Sequence, residues 1–143
     1  MLSANDIALV RTSFAKVLSI KEIAADLFYN RLFEIAPQLR EMFPKDLREQ
    51  KSKLMAMMAA AVGGLHDLKT LVPHVKALGA RHAGYGVTVA HYGIVGEALM
   101  WTLSRGLGDA FTPEVRSAWA KVYGVLAGTM QSGAIEATGT RAA

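Results

Sequence analysis

Three side-chain types in this chain could do chemistry, and their spacing restricts what it could be. His82 stands at i+7 from Val75 and i+4 from Leu78, on the apolar face of a helical pattern. A histidine there is either a satisfied core residue or a metal ligand. The other histidines, 66, 74 and 91, form no i, i+4 pair with it or with each other, so conventional zinc ligation is not expected. A single neutral imidazole on an apolar wall does suit a haem iron, which needs one axial nitrogen and a dry slot for its plate. Gln50 heads a stripe of Lys53, Leu54, Met57, Met58 and Ala61, at offsets of three, four, seven, eight and eleven residues. It reads either as a surface residue at a helix start or as an amide donor aimed into a pocket. Tyr29 lies among Ala25, Phe28, Leu32 and Phe33, and a buried phenol needs a partner for its hydroxyl. That partner is either a backbone carbonyl or a bound ligand.

These residues need helices to position them, and the hydrophobic pattern is helical throughout. Ser3 and Asp6 form a capping arrangement for a first helix whose buried face is Ile7, Val10, Phe14, Val17 and Leu18. A second helix runs from Ile20 or Lys21 to Ala36, where Pro37 ends it and opens a short helix that closes at Phe43-Pro44. A long helix over Leu47–Leu65 carries Gln50, with Leu54, Met57, Met58 and Ala61 expected in the core. Pro73 is expected to open the helix that carries His82, with Gly84 and Gly86 stopping it. Tyr85 to Val95 is valine-rich but does not alternate, so a helix over Val89–Arg105 is expected rather than a strand. Thr112-Pro113-Glu114 starts the last helix, which is expected to end near Glu136. The expectation is an all-α domain of seven to eight helices over residues 1–136, with residues 137–143 as a flexible tail.

Composition excludes other classes. The chain has 143 residues, enough for one core, and 52% of them are hydrophobic against 20% charged. There is no cysteine, which excludes disulfides, thiolate metal sites, iron–sulfur clusters and thioether attachment of a haem. The net charge of +4 is spread among acids, as in Lys45-Asp46-Leu47-Arg48-Glu49, so nucleic-acid binding is not expected. No run reaches the roughly 18 apolar residues of a membrane span. No leader pattern opens the chain, and a cytoplasmic location is the expectation. Gly84-Tyr85-Gly86 completes no dinucleotide motif, and no phosphate loop is present.

Four segments in order resemble bacterial single-domain haemoglobins and the globin domain of flavohaemoglobins. They are Leu27-Phe28-Tyr29-Asn30-Arg31-Leu32-Phe33, Met42-Phe43, His91-Tyr92-Gly93-Ile94-Val95-Gly96-Glu97 and Ala118-Trp119-Ala120-Lys121-Val122-Tyr123-Gly124-Val125-Leu126-Ala127. The resemblance covers Ile7 to about Met130 and implies a globin fold around one non-covalent haem b. It implies His82 as the proximal iron ligand, with its Nδ1–H on a carbonyl one turn back, that of Leu78. Phe43 resembles the family's phenylalanine on the haem face. Tyr29 and Gln50 resemble the distal pair over the ligand, and Leu54 the apolar residue crowding it. Tyr92 resembles the proximal tyrosine of flavohaemoglobins, and Lys53 is placed for a haem propionate. The implied ligands are O2, NO and CO. The implied functions are reversible oxygen binding, as carrier or scavenger, and alternatively nitric oxide dioxygenation. Two departures bear on the choice. The flavin and nicotinamide domains of flavohaemoglobins have no counterpart in these residues, so an external reductase is expected to supply electrons. The family's proximal glutamate aligns with Ala134, with Glu136 two residues on, so peroxidase-type activation is less expected than simple binding.

Overall fold

A computed structural model describes residues 2–138, all of which fall in helices or their connections. The six α-helices are α1 (Ala4–Leu18), α2 (Lys21–Ile35), α3 (Arg48–Gly63), α4 (Leu68–Gly84), α5 (Val89–Leu107) and α6 (Pro113–Thr138). With the 3-10 helix Pro37–Met42 they make seven, as expected, and single 3-10 turns at Leu65–Asp67 and Gly108–Ala110 complete the path. Ala137 and Thr138, placed in the tail by the sequence reading, finish α6, and residues 139–143 lie outside the described residues. Among the described residues, no helix is long and apolar enough to cross a membrane.

Local signals account for most of the helix ends. Ser3 accepts from the Asp6 backbone while Asp6 accepts from the Ser3 backbone, both at 3.0 Å, which closes a reciprocal cap on α1. The Thr112 hydroxyl accepts from the Val115 backbone at 3.2 Å and opens α6. Pro37 ends α2 and begins the 3-10 helix. The expected start of the His82 helix at Pro73 is wrong. α4 begins five residues earlier, where the Asp67 carboxylate accepts from the Thr70 backbone at 3.4 Å and its hydroxyl at 2.7 Å. Pro73 then sits inside the helix on an exposed face, where water can satisfy the one carbonyl it leaves unpaired. α3 is also shorter than read, ending at Gly63 before the 3-10 turn.

The core is built on α1, α2, α5 and α6. Val10, Phe14 and Val17 of α1 meet Ala118, Trp119 and Val122 of α6 and Leu99 and Leu103 of α5. The Trp119 indole N–H donates to the Ser13 hydroxyl at 2.8 Å, satisfying two buried polar groups across the α1–α6 contact. α4 is attached differently, packing chiefly along α6. Gly79 and Gly133 let the two backbones touch: a Cβ on Gly79 would meet the Met130 backbone, and one on Gly133 the Lys76 backbone. α3 packs on α1 and α2 and scarcely touches α4, although the two are consecutive. A crevice therefore separates them.

Candidate functional site

The α3 stripe read as core is only half-buried: Leu54, Met57, Met58 and Ala61 keep partial exposure, while Met55 and Val62 form the buried face. The helix is turned by roughly one position from the expectation, which leaves its apolar stripe at the edge of the core, with Leu54 and Met58 packed against it. Leu78 and His82 of α4 are likewise half-buried. Apolar side chains that the protein itself covers incompletely, on helices that do not close on one another, fit a flat apolar group between them.

One wall of the site is aromatic. Tyr29 is 2% exposed, and its ring is held by Phe28 at 5.1 Å, Phe33 at 6.0 Å and Phe43 at 5.7 Å between centroids. Phe28 and Phe43 meet it edge-on, the favoured geometry for aromatic pairs. Phe43 is presented by a pinned corner, because the Arg40 guanidinium donates to the carbonyls of Phe43, Pro44 and Lys45 at 3.3, 2.9 and 2.9 Å. The Gln50 amide reaches across from α3 and donates to the Tyr29 hydroxyl at 3.1 Å. Gln50 therefore turns inward, and the phenol's partner within the protein is neither of the two the sequence offered but an amide 21 residues away. Lys51, the next residue, pairs with Asp26 of α2 at 2.8 Å and ties the two helices together at that level. Burial pushes the Tyr29 phenol above its ordinary range, partly offset by the Gln50 bond, so it stays protonated at neutral pH. Because Gln50 occupies a lone pair, the phenol O–H remains available to donate.

The other wall carries His82. Its Nδ1 lies 2.8 Å from the Leu78 carbonyl, as expected, so Nδ1 holds the proton and Nε2 the lone pair. One ring nitrogen, oriented by a backbone acceptor on the other, is the donor set a haem iron needs from this side. Leu54 joins Phe28, Met58, Leu99 and Leu103 around a small apolar recess.

The structure draws Tyr29, Gln50 and Phe43 together, with Leu54 one turn further along α3, and His82 stands on α4, which α3 scarcely touches. Lys53 and Tyr92 are not in direct contact with them. The Lys53 ammonium is exposed and pairs with Glu49 at 3.3 Å. Tyr92 is half-buried, which raises its phenol above the ordinary range, and its carbonyl accepts from the Tyr123 hydroxyl at 2.7 Å. Glu136 carries its carboxylate to Lys76 at 3.2 Å, six residues before His82 and well round α4 from it. Asp26 and the Arg40 clamp are positioning residues that the sequence reading missed. Asp26 reads as an ordinary surface acid, and Arg40's acceptors are backbone carbonyls, which leave no trace in side-chain pattern.

The comparisons agree with this architecture. The Globin family profile matches residues 26–130. The chain is 32% identical over 130 residues to a flavohemoprotein of Bacillus subtilis, covering 89% of this chain and 33% of that protein, so it spans about a third of that relative's length. It is 31% identical over 146 residues to neuroglobins of Tetraodon nigroviridis and Danio rerio, covering 92% of each chain. Among solved structures, an engineered carbene transferase derived from a protein of Rhodothermus marinus assigned as a nitric oxide dioxygenase superposes with a TM-score of 0.85. That likeness covers 97% of both chains at 26% identity.

Proposed function

The chain belongs to the globin family, and from that premise we propose that it holds one non-covalent haem b through His82 and binds oxygen and related diatomic gases reversibly. The observation that carries the reading is a pair of polar devices on two helices that scarcely touch: His82, its Nδ1 held by the Leu78 carbonyl, and the Gln50–Tyr29 couple, whose phenol proton is not used within the protein.

Haem, when bound, supplies an iron that takes a diatomic gas as ligand and passes electron density to it. The protein's own groups do the rest. His82 offers Nε2 from α4 and is kept from rotating by Leu78. Phe43 and the half-buried stripe of α3 would give the haem apolar surface and keep water from it. Tyr29 and Gln50 can each donate to a ligand that has gained negative charge, and the Phe28, Phe33 and Phe43 rings keep the phenol from competing solvent. Lys53, exposed at the head of α3, is available to a propionate at the crevice edge. Leu54, one turn after Gln50, would limit the room beside the ligand, and Tyr92 of α5 would back the His82 side. Residues 1–136 form the gas-binding domain in this reading.

A second reading is favoured by the flavohemoprotein relative and by the Rhodothermus neighbour's description: oxidation of nitric oxide by bound oxygen to nitrate, with one electron per turnover from a separate reductase. The Tyr29–Gln50 couple serves both. Sustained consumption of nitric oxide under a cellular reductase, beyond one equivalent per protein, selects the enzyme. A single stoichiometric burst selects the carrier.

His82→Ala tests the common core of both readings. The variant is expected to lose the Soret band on purification and to take up no carbon monoxide after reduction. A variant that kept haem and gas uptake would refute the assignment.

A further inference from the structure

We propose that a cleft between α2, α5 and α6 is a second ligand site, one that takes a small organic monoanion: a carboxylate on a flat apolar body. Its volume is about 550 Å³, within the range of small-molecule sites, ~300–1,000 Å³. His82, Tyr29, Gln50, Phe43 and Leu54 do not line it, and Tyr92 is its only tie to the gas site. The inference does not rest on the haem reading.

The chemistry comes from unpaired arginines. Arg31 and Arg116 line the cleft. The Arg31 guanidinium lies 5.2 Å from the centre of the Trp101 ring, and Arg105 lies 5.0 Å from the same ring. Such cation–π contact holds a guanidinium against the ring while leaving N–H groups to bind something else. None of the three arginines has a carboxylate within ion-pair distance among the described residues. The Nε–H of Arg31 is buried and has no acceptor in the protein. Buried donors without partners are rare in folded proteins, and a charged one is costly to leave so. The Nε–H is covered, so a carboxylate in the cleft would pair with the terminal N–H groups of the guanidinium, in the forked geometry it favours.

The remaining lining sets the rest of the ligand. Met100, Ala120 and the Tyr123 ring are an apolar surface for a flat body. Glu97 is the one acid in the lining, and it repels a second negative charge, so a monoanion is preferred to a dianion. Gly93 of α5 leaves the space open: a Cβ there would meet nothing within 4 Å.

The test is a titration of the purified protein with 1-naphthoate, under carbon monoxide to close any haem iron, followed by backbone amide NMR. Saturable shifts centred on Arg31, Gly93, Trp101 and Arg116 are expected. Arg31→Met should weaken binding by about tenfold or more through loss of the charged partner. Gly93→Leu, which fills the cleft and improves helix propensity, should weaken it as much while leaving the fold and the Soret spectrum unchanged. The neutral alcohol 1-naphthalenemethanol should bind at least about tenfold more weakly. Non-saturable shifts, shifts centred on His82 and Tyr29, or full binding by the Gly93 variant would overturn the site. Equal binding of the alcohol, or of sulfate alone, would overturn the assignment of its ligand.

Discussion

At the scale of single residues, the site depends on how one hydrogen bond is directed. Gln50 donates to Tyr29, so the phenol's own proton is not consumed within the protein. Tyr29→Phe removes that proton and keeps the ring in its aromatic cage. In the gas-binding reading this costs one charge-assisted bond, about 1.5–3 kcal/mol. With 1.4 kcal/mol per factor of ten, oxygen dissociation should accelerate by roughly ten- to a hundred-fold. Stopped-flow displacement of oxygen by carbon monoxide measures it, and an unchanged rate would remove Tyr29 from the ligand site. Gln50→Leu should give a smaller acceleration, because the phenol can still donate. The candidates themselves were visible in the sequence, since polar residues on apolar stripes stand out. Their partnership came only from the family resemblance: nothing in spacing links positions 29 and 50, which are joined when α3 crosses α2.

At the scale of elements, two glycines decide where the His82 helix lies. Gly79 and Gly133 let α4 and α6 pack backbone to backbone, and added methyls would collide with main chain rather than with movable side chains. Gly79→Ala should cost about 3 kcal/mol or more. It should also loosen haem retention, because α4 must shift with His82 on it. Gly124→Ala in α6 provides the contrast. Its Cβ meets nothing within 4 Å, so the ordinary helix preference for alanine should stabilise the protein by roughly 0.5–1 kcal/mol. Chemical denaturation of both variants, with haem transfer to an acceptor globin for the first, checks the opposite signs. Helix ends marked by Ser3, Pro37 and Thr112-Pro113 were legible because a cap or a proline acts within one turn. Pro73 misled because the Asp67 cap six residues upstream outweighs one lost hydrogen bond. The glycine crossing was not legible at all, since a glycine inside a helical pattern reads as a weakness until its neighbour is known.

At the scale of the whole molecule, one domain and an all-helical class follow from length, composition and period, whereas the crevice does not. α3 and α4 each have a satisfactory apolar face, and only the packing shows that the two faces do not close on each other. The same packing sets how stability depends on pH. Burial raises the phenols of Tyr29, Tyr92 and Tyr123 above their ordinary 10.0, and Tyr123 is raised further by Tyr92. In the unfolded chain these groups ionise near pH 10, while in the folded one they hold their protons. Above that pH the unfolded state therefore binds fewer protons, and stability must fall as pH rises. Asp6 and Asp67 act at the other end. Ser3 and Thr70 hydrogen bonds hold their carboxyls below 3.8, so their contribution is present above that value and is lost as pH falls through the lowered one. The urea midpoint is expected to fall on the alkaline side beyond pH 10 and on the acid side below about pH 4. Tyr123→Phe separates the causes. It removes the most strongly raised phenol together with its 2.7 Å bond to the Tyr92 carbonyl. The variant should be less stable at neutral pH, lose less than the parent between pH 9 and pH 11, and keep an unchanged acid limb. A parent whose midpoint did not fall between those alkaline values would show that the buried phenols ionise as easily in the fold as outside it.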